Sequence, residues 1–346
     1  MSDRWRSIGP ALTLVVLAPF VGEVLSGSTR LSFIFVLVPE MMVWGAGTLL
    51  IRELAIRWRG GRTSMLLLGL ALAIAEEFVI QQTSLAPLPW PGARHSYGRM
   101  WGVTWPYFLF MLGYETVWIV LVPIQLTELV FSRERGVPWL GRRGLTIAGL
   151  TFLVGSCIAW FLWTQRARPL IFHVPIYHPP AATVALGRAA IVALGVLARA
   201  APRWRSVGAW PPPRPSLVAL TALVLGFPWY LLLALLFGAT ATPPLWLLMA
   251  LAAAWATTAL VVIGRWARDP RWEDRHRWAL TFAALLVCML AGFLGSSAWP
   301  RQDTAAKIVL NVLAVGSMAL LRARIAGGQP PSSRKAHGLG QRPLAG

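Results

Sequence analysis

Residues 63–84 read TSMLLLGLALAIAEEFVIQQTS, a run in which only Glu76 and Glu77 carry charge. A helix that crosses a bilayer needs about 20 consecutive, mostly apolar residues. The stretch therefore predicts a transmembrane helix with two adjacent carboxylates inside it. Each carboxylate in hydrocarbon costs roughly 2.5 kcal/mol or more even on lenient insertion scales.

Comparable runs recur along the chain at 8–26, 31–51, 104–131, 144–164, 181–198, 216–238, 244–264, 278–298 and 305–321. Only 13% of the 346 residues are charged, against about 25% in a soluble domain. Mean hydropathy is +0.60. The sequence reads as an all-α, polytopic bundle of about ten spans, with the lipid bilayer as its main partner. Trp90, Trp105, Trp210, Trp278 and Trp299 lie at run ends, where indole rings favour the headgroup region.

Net charge is +19, but the basic residues do not gather on one soluble domain as a nucleic-acid footprint requires. Nucleic acid is excluded as a partner on that ground. The basic residues fall in short loops, and the loops alternate. Counted by side, 24 lie on one face and 6 on the other, with Arg188 and Lys307 inside spans. Positive residues stay cytoplasmic, so both termini are expected inside a cell (inner, cytoplasmic) membrane of a bacterium. Arg4 and Arg6 precede the first apolar run, yet Glu23 interrupts it and no small-residue cleavage site follows, so an uncleaved helix is expected.

Residues 1–325 read as one integral membrane domain. Its 1–135 part bears carboxylates, and its 144–325 part is almost purely apolar within the spans. Residues 326–346, rich in Gly, Pro and Ser, are expected to form a disordered cytoplasmic tail. The prolines after Trp210 make a stiff linker. Cys157 and Cys288 each sit in an apolar run and form no metal or disulfide framework.

Seven of the thirteen acidic residues lie in the first four runs or at their margins: Glu23, Glu40, Glu53, Glu76, Glu77, Glu115 and Glu128. At the helical rise of 1.5 Å per residue, Glu40 lies ~14 Å below the outer surface, Glu76 and Glu77 ~11–12 Å, Glu115 ~16 Å and Arg188 ~11 Å. Four carboxylates and a guanidinium are thus expected in one layer. Glu23, Glu53 and Glu128 lie nearer the surfaces and are expected to snorkel. Gln81, four residues after Glu77, shares its helical face, which favours Glu77 for a polar environment and Glu76 for a contact with a neighbouring span. Pro39 and Pro123 free backbone carbonyls that would add ligands.

Such a layer supports either chemistry and binding or plain helix–helix pairing among the carboxylates and with Arg188. His95, His173 and His178 lie in outer loops at spacings that match no zinc motif, so no metal is expected. No GxxxxGK, GxGxxG, HExxH or GxSxG sequence is present, and nothing names a cofactor.

The stretch Ala75-Glu76-Glu77-Phe78-Val79-Ile80-Gln81 resembles the first motif of the CAAX-protease and bacteriocin-processing family of intramembrane proteases, two glutamates followed by an arginine. Phe110-Met-Leu-Gly-Tyr114 is similar to the family's second motif, Phe-x3-His. The resemblance covers about 40 residues, Glu76 to Glu115. Gln81 stands in place of the arginine and Tyr114 in place of the histidine, and no membrane histidine follows for the third motif. The resemblance implies a glutamate that activates water, with Glu76 or Glu77 as base and Glu115 or Tyr114 assisting. Three readings stay open: an enzyme with Glu76, Glu77 and Glu115 as catalytic groups, a transporter or channel-like protein in which Glu40, Glu77 and Glu115 bind a proton, a cation or an amine, and a scaffold; Glu40, Gln81, Tyr114 and Arg188 are the candidate ligand- or ion-binding residues. The substrate, whether small molecule, ion or peptide, is not named by the sequence.

Overall fold

The computed structural model describes residues 3–94, 96–203, 208–238, 243–294, 296 and 299–327. Every apolar run lies on a helix. In chain order these are α1 (Ile8–Leu25), α2 (Leu31–Arg57), α3 (Gly61–Ile80), α4 (Trp105–Val130), α5 (Arg142–Leu170), α6 (Ala181–Ala200), α7 (Pro215–Leu236), α8 (Leu245–Trp266), α9 (Asp274–Ala291) and α10 (Arg301–Gly327). Among the described residues, nine of these, all but α9, are long and apolar enough to cross a membrane. The helix α9 starts earlier than its apolar run, and Asp274, Arg275 and Arg277 fill its first turn. The chain is an α-helical bundle suited to a multi-pass membrane protein. The only strands among the described residues are β1 (Arg99–Met100) and β2 (Val103–Thr104), a small antiparallel hairpin turned by Trp101 and Gly102.

The bundle is layered. The most apolar windows of α1–α4 are 50–67% buried within the protein, whereas those of α5–α8 and α10 are only 11–22% buried. The acidic helices α1–α4 are therefore inner ones, and α5–α8 and α10 form an outer shell whose exposed Leu, Val and Ile side chains suit lipid. At the centre stands α4, packed against α1, α2, α3, α7, α8 and α9.

Five stretches widen from α-helical to π-helical spacing: Phe20–Leu25, Met41–Gly45, Glu76–Ile80, Glu115–Leu121 and Phe161–Ala167. Their N–H groups reach five residues back, as in Gln81 to Glu76 (2.9 Å), Ala46 to Met41, Val122 to Val117 and Arg168 to Trp163. Proline lies next to or near four of them: Pro19, Pro39, Pro123 and Pro169. Proline has no N–H and crowds the carbonyl four residues earlier.

Two carbonyls left without their proline partner are used by neighbouring helices. The carbonyl of Ile119, four residues before Pro123, accepts the Thr48 hydroxyl of α2 at 3.0 Å. It therefore clasps two helices and is not a free ligand, contrary to the expectation for Pro123. The carbonyl of Val15, four before Pro19, lies directly against Gly45 of α2, where a β-carbon would collide with it. Small residues at helix contacts allow this approach in membranes.

The open C-terminal end of α1 is closed the same way. A helix end leaves four carbonyls bare. Tyr114 of α4 donates to Gly22 O, and the Cys288 thiol of α9 points at Val21 O (3.5 Å). Lys307 of α10 donates to Leu25 O (2.6 Å) and Ser26 O (2.9 Å). The ammonium also suits the negative end of the helix dipole. Near it, the Asp303 carboxylate accepts the Ser32 N–H (3.0 Å) and hydroxyl (2.8 Å). Both Asp303 and Lys307 are buried, so the few charges at the start of α10 serve its contacts with the end of α1 and the start of α2.

At the opposite end, Arg52 and Glu53 are fully buried and hold the segment 134–140. Glu53 accepts the N–H groups of Trp139 (2.8 Å) and Leu140 (3.2 Å) and pairs with Arg52 (3.1 Å) and Arg57 (3.4 Å). Arg52 lies 3.4 Å from the Trp139 ring centre, donates to Val137 O (2.9 Å), and pairs with Glu128 (3.4 Å). Glu53 does not snorkel, because these N–H and guanidinium donors and an aromatic lid fix it and its partner inside. The expected tail lies outside the described residues, apart from Ala326 and Gly327, which end α10.

Replacing Gly45 by Ala should destabilise the detergent-purified protein by at least about 1–3 kcal/mol, as overpacking does, read as a lower thermal midpoint. Gly149→Ala, where a β-carbon meets nothing within 4 Å, should cause no fall. Truncating Glu53 to Ala leaves Arg52 buried without its closest acid and should cost about 3–5 kcal/mol in the same measurement.

Candidate intramembrane carboxylate centre

Five carboxylates mark four of the five π-helical stretches. Glu23 lies inside the first, Glu40 directly precedes the second, Glu76 and Glu77 open the third, and Glu115 opens the fourth. π-Turns are rare and recur at functional sites. Here each one shifts the helix register at the residue that carries charge.

All five side chains point into the bundle. Glu76, Glu77 and Glu115 are at most 1% exposed, and Glu23 and Glu40 are also buried. Glu115 of α4 is within Coulombic range of Glu76, Glu77 and Glu23. Glu76 is in range of Glu77 and Glu23, and Glu23 is in range of Glu40. The helices α1, α2, α3 and α4 thus each contribute to one acidic centre. Glu23 belongs to it and does not snorkel.

The members differ in what they touch. Both oxygens of Glu115, and Oε2 of Glu76 and of Glu40, are buried with no hydrogen-bond partner. Among the described residues, none of the five has a basic side chain within ion-pair distance. Glu40 accepts the Thr29 hydroxyl. Glu77 is well held: its Oε2 accepts the Ser84 N–H at 2.8 Å and the Ser84 hydroxyl at 2.6 Å. Thr104 N–H bonds to Ser84 O (2.8 Å), and Arg99 donates to Leu85 O (2.5 Å) and Thr104 Oγ1 (3.0 Å). Glu77 therefore anchors the buried start of the segment joining α3 to α4, which closes that end of the centre. Gln81 is half-buried and its side chain does not bond to Glu77. The i,i+4 face does not survive the π-turn, and Ser84 takes the expected place of Gln81.

Tyr114 and Glu115 face different ways. Tyr114 bonds to Gly22 O and stacks between Phe110 (5.3 Å) and Trp118 (5.6 Å), with its edge toward Tyr230. Its hydroxyl serves the end of α1, and the acid that faces Glu76 and Glu77 is Glu115. Arg188 is exposed on α6 and forms no ion pair among the described residues. It lines a separate outer cavity and does not join the carboxylate layer.

Tyr107 is not among the sequence-based candidates, yet its ring is buried on α4 and lies in electrostatic range of Glu77, Glu115, Glu23 and Glu76. Its position eight residues before Glu115, with Met111 midway, puts all three on one helical face. That spacing was the available signal. His173 and His178 lie outside the centre's helices, and His95 lies outside the described residues. Among the described residues, no group of three or more His, Cys, Asp or Glu is placed to hold a metal ion.

The chain matches no family model, no curated protein and no solved structure.

Loss of the Glu77 carboxylate by Glu77→Ala strands two buried donors of Ser84. It should cost about 1–3 kcal/mol and speed amide exchange across 81–88, measured by hydrogen–deuterium exchange. Glu115→Gln removes an unpartnered acid from an acidic neighbourhood and should leave the thermal midpoint unchanged or higher.

Proposed function

We propose that this multi-pass membrane protein is a divergent glutamate-dependent intramembrane hydrolase, distantly related to the CAAX-protease and bacteriocin-processing proteins. In this reading it has ten spans, places both termini in the cytoplasm, and resides in the cell membrane. The observation that carries the proposal is that Glu76 of α3 and Glu115 of α4 are both buried, on helices packed against each other, within electrostatic range. Both oxygens of Glu115 and Oε2 of Glu76 are buried without a partner, no basic side chain is within ion-pair distance among the described residues, and each residue opens a π-turn.

Carboxylates brought together in a low-dielectric interior without a cation hold protons between them. A proton-sharing acid pair is the arrangement that general acid–base catalysis by carboxylates uses. One member takes a proton from water as it attacks a carbonyl, and the other delivers a proton to the leaving group. Glu76 serves as base and Glu115 as its proton partner. Glu77 positions the pair by tying α3 to Ser84. Tyr107, on the face of Glu115, supplies a neutral donor to the same space. Glu115 here takes the role that the second-motif histidine has in the resemblance, one residue after Tyr114.

A second reading is favoured by one further observation. Glu23 lies in electrostatic range of Glu40, and Glu76 and Glu115 lie in electrostatic range of Glu23, so buried acids on α2, α1, α3 and α4 are electrostatically linked. Such a linked set suits a proton or cation pathway in a transporter.

The two readings separate in proteoliposomes of the full chain. The hydrolase reading expects cleavage of a membrane-embedded peptide library, lost by at least about 100-fold in Glu76→Gln and Glu115→Gln, with folding kept. The transporter reading expects no cleavage but a proton flux that the same variants and Glu40→Gln abolish. Folded variants with neither effect would leave only a scaffold.

A further inference from the structure

The fifth π-helical stretch, Phe161–Ala167, carries no acid. It borders a cavity of about 360 Å³ formed where α5, the segment leading into α6, the start of α6 and the loop after α3 meet. The polar groups that line it are Arg188, His178, Gln165, Gln82 and Tyr177, and no Asp or Glu is among them. Trp160, Val184 and Ala185 supply its apolar wall. Gln82 is held at a positive φ of 59°, an unusual conformation for a residue with a β-carbon.

Arg188 is the eighth residue of α6, hence ~10 Å below the start of that helix. Helical side chains lean toward the N-terminus, so its guanidinium rises toward the cavity and toward the headgroup level. It has no carboxylate partner among the described residues. Tyr177, in contrast, already accepts from Arg99 (3.3 Å), which places a second guanidinium behind the wall. A planar guanidinium forks onto phosphate oxygens, and amide and phenol donors complete such a shell. Next to the cavity, Phe161 (43% exposed), Leu162 (41%) and Leu186 (69%) present apolar surface outward.

We propose that this cavity binds the phosphate of an anionic glycerophospholipid. Arg188 carries the charge–charge contact, Gln165, Gln82 and His178 orient the oxyanion, and the acyl chains lie along the apolar flank of α5 and α6. The site is independent of the carboxylate centre, and its test does not depend on any activity.

The full chain is placed in nanodiscs of mixed phosphatidylglycerol and phosphatidylcholine, released, and weighed with its retained lipid by native mass spectrometry. Wild type is expected to retain phosphatidylglycerol in preference to phosphatidylcholine. Arg188→Gln should reduce that retention by about tenfold, the loss of one charge-assisted contact. Ala185→Trp keeps the arginine but fills the cavity, and should reduce retention equally, so the test survives if Arg188→Gln does not fold. A parallel arm adds inorganic phosphate to delipidated protein and reads thermal protection. Equal retention by wild type and both variants overturns the proposal. So does protection by inorganic phosphate equal to that by phosphatidylglycerol, because the apolar flank then contributes nothing.

Discussion

In hydrocarbon a backbone carbonyl without a hydrogen bond finds no water to replace it, and this constraint organises the whole bundle. Every departure from regular helix creates such carbonyls, and the inner helices depart repeatedly, at prolines and at π-turns. The structure answers with side chains from other helices: Thr48 for Ile119, Tyr114 for Gly22, Lys307 for Leu25 and Ser26. Helix contacts here are thus written partly in backbone groups, with close approach at Gly45 and Gly22 allowing them. In a membrane such polar contacts and small-residue packing replace the hydrophobic drive that joins helices in water.

The same irregular turns carry the acids. A π-turn rotates the later part of its helix relative to regular α-helical spacing, so it directs Glu76 and Glu115 inward while the flanking apolar residues keep their own neighbours. The two charged ends of the inner bundle then behave oppositely. Around Arg52 and Glu53 every charge is met by a countercharge or an N–H, which fixes the 134–140 segment. At Glu115 both oxygens, and at Glu76 Oε2, are left without a partner. Buried carboxylate oxygens without a donor are the costly kind of unsatisfied group, and those of Glu40, Glu76 and Glu115 fall at the π-turns of the inner helices.

Much of the architecture was legible in the sequence because apolar run length maps directly onto helices, and the acidic runs are the inner ones for the same solvation reason. Residue-level contacts were less legible. The pairing of Glu77 with Ser84 instead of Gln81 arises from a π-turn that periodicity assumes away. Glu23 was misplaced because depth along one helix says nothing of rotation about it. Arg188 shares a depth with the glutamates but stands on an outer helix. The burial of Asp303 and Lys307 is not legible, because both lie at the start of the last apolar run, where charge is ordinarily solvated. Tyr107 was visible only through its eight-residue spacing from Glu115.

Lys307 lies 282 residues beyond the carbonyl of Leu25 that it caps. During synthesis the first helix therefore enters the membrane long before the amine that seals it exists. Until α10 is made, the exit of α1 and its neighbouring acids stay incompletely covered, and a nascent chain in that condition is a natural client for insertion machinery that shelters polar segments. The bundle closes only when its last helix comes back to its first.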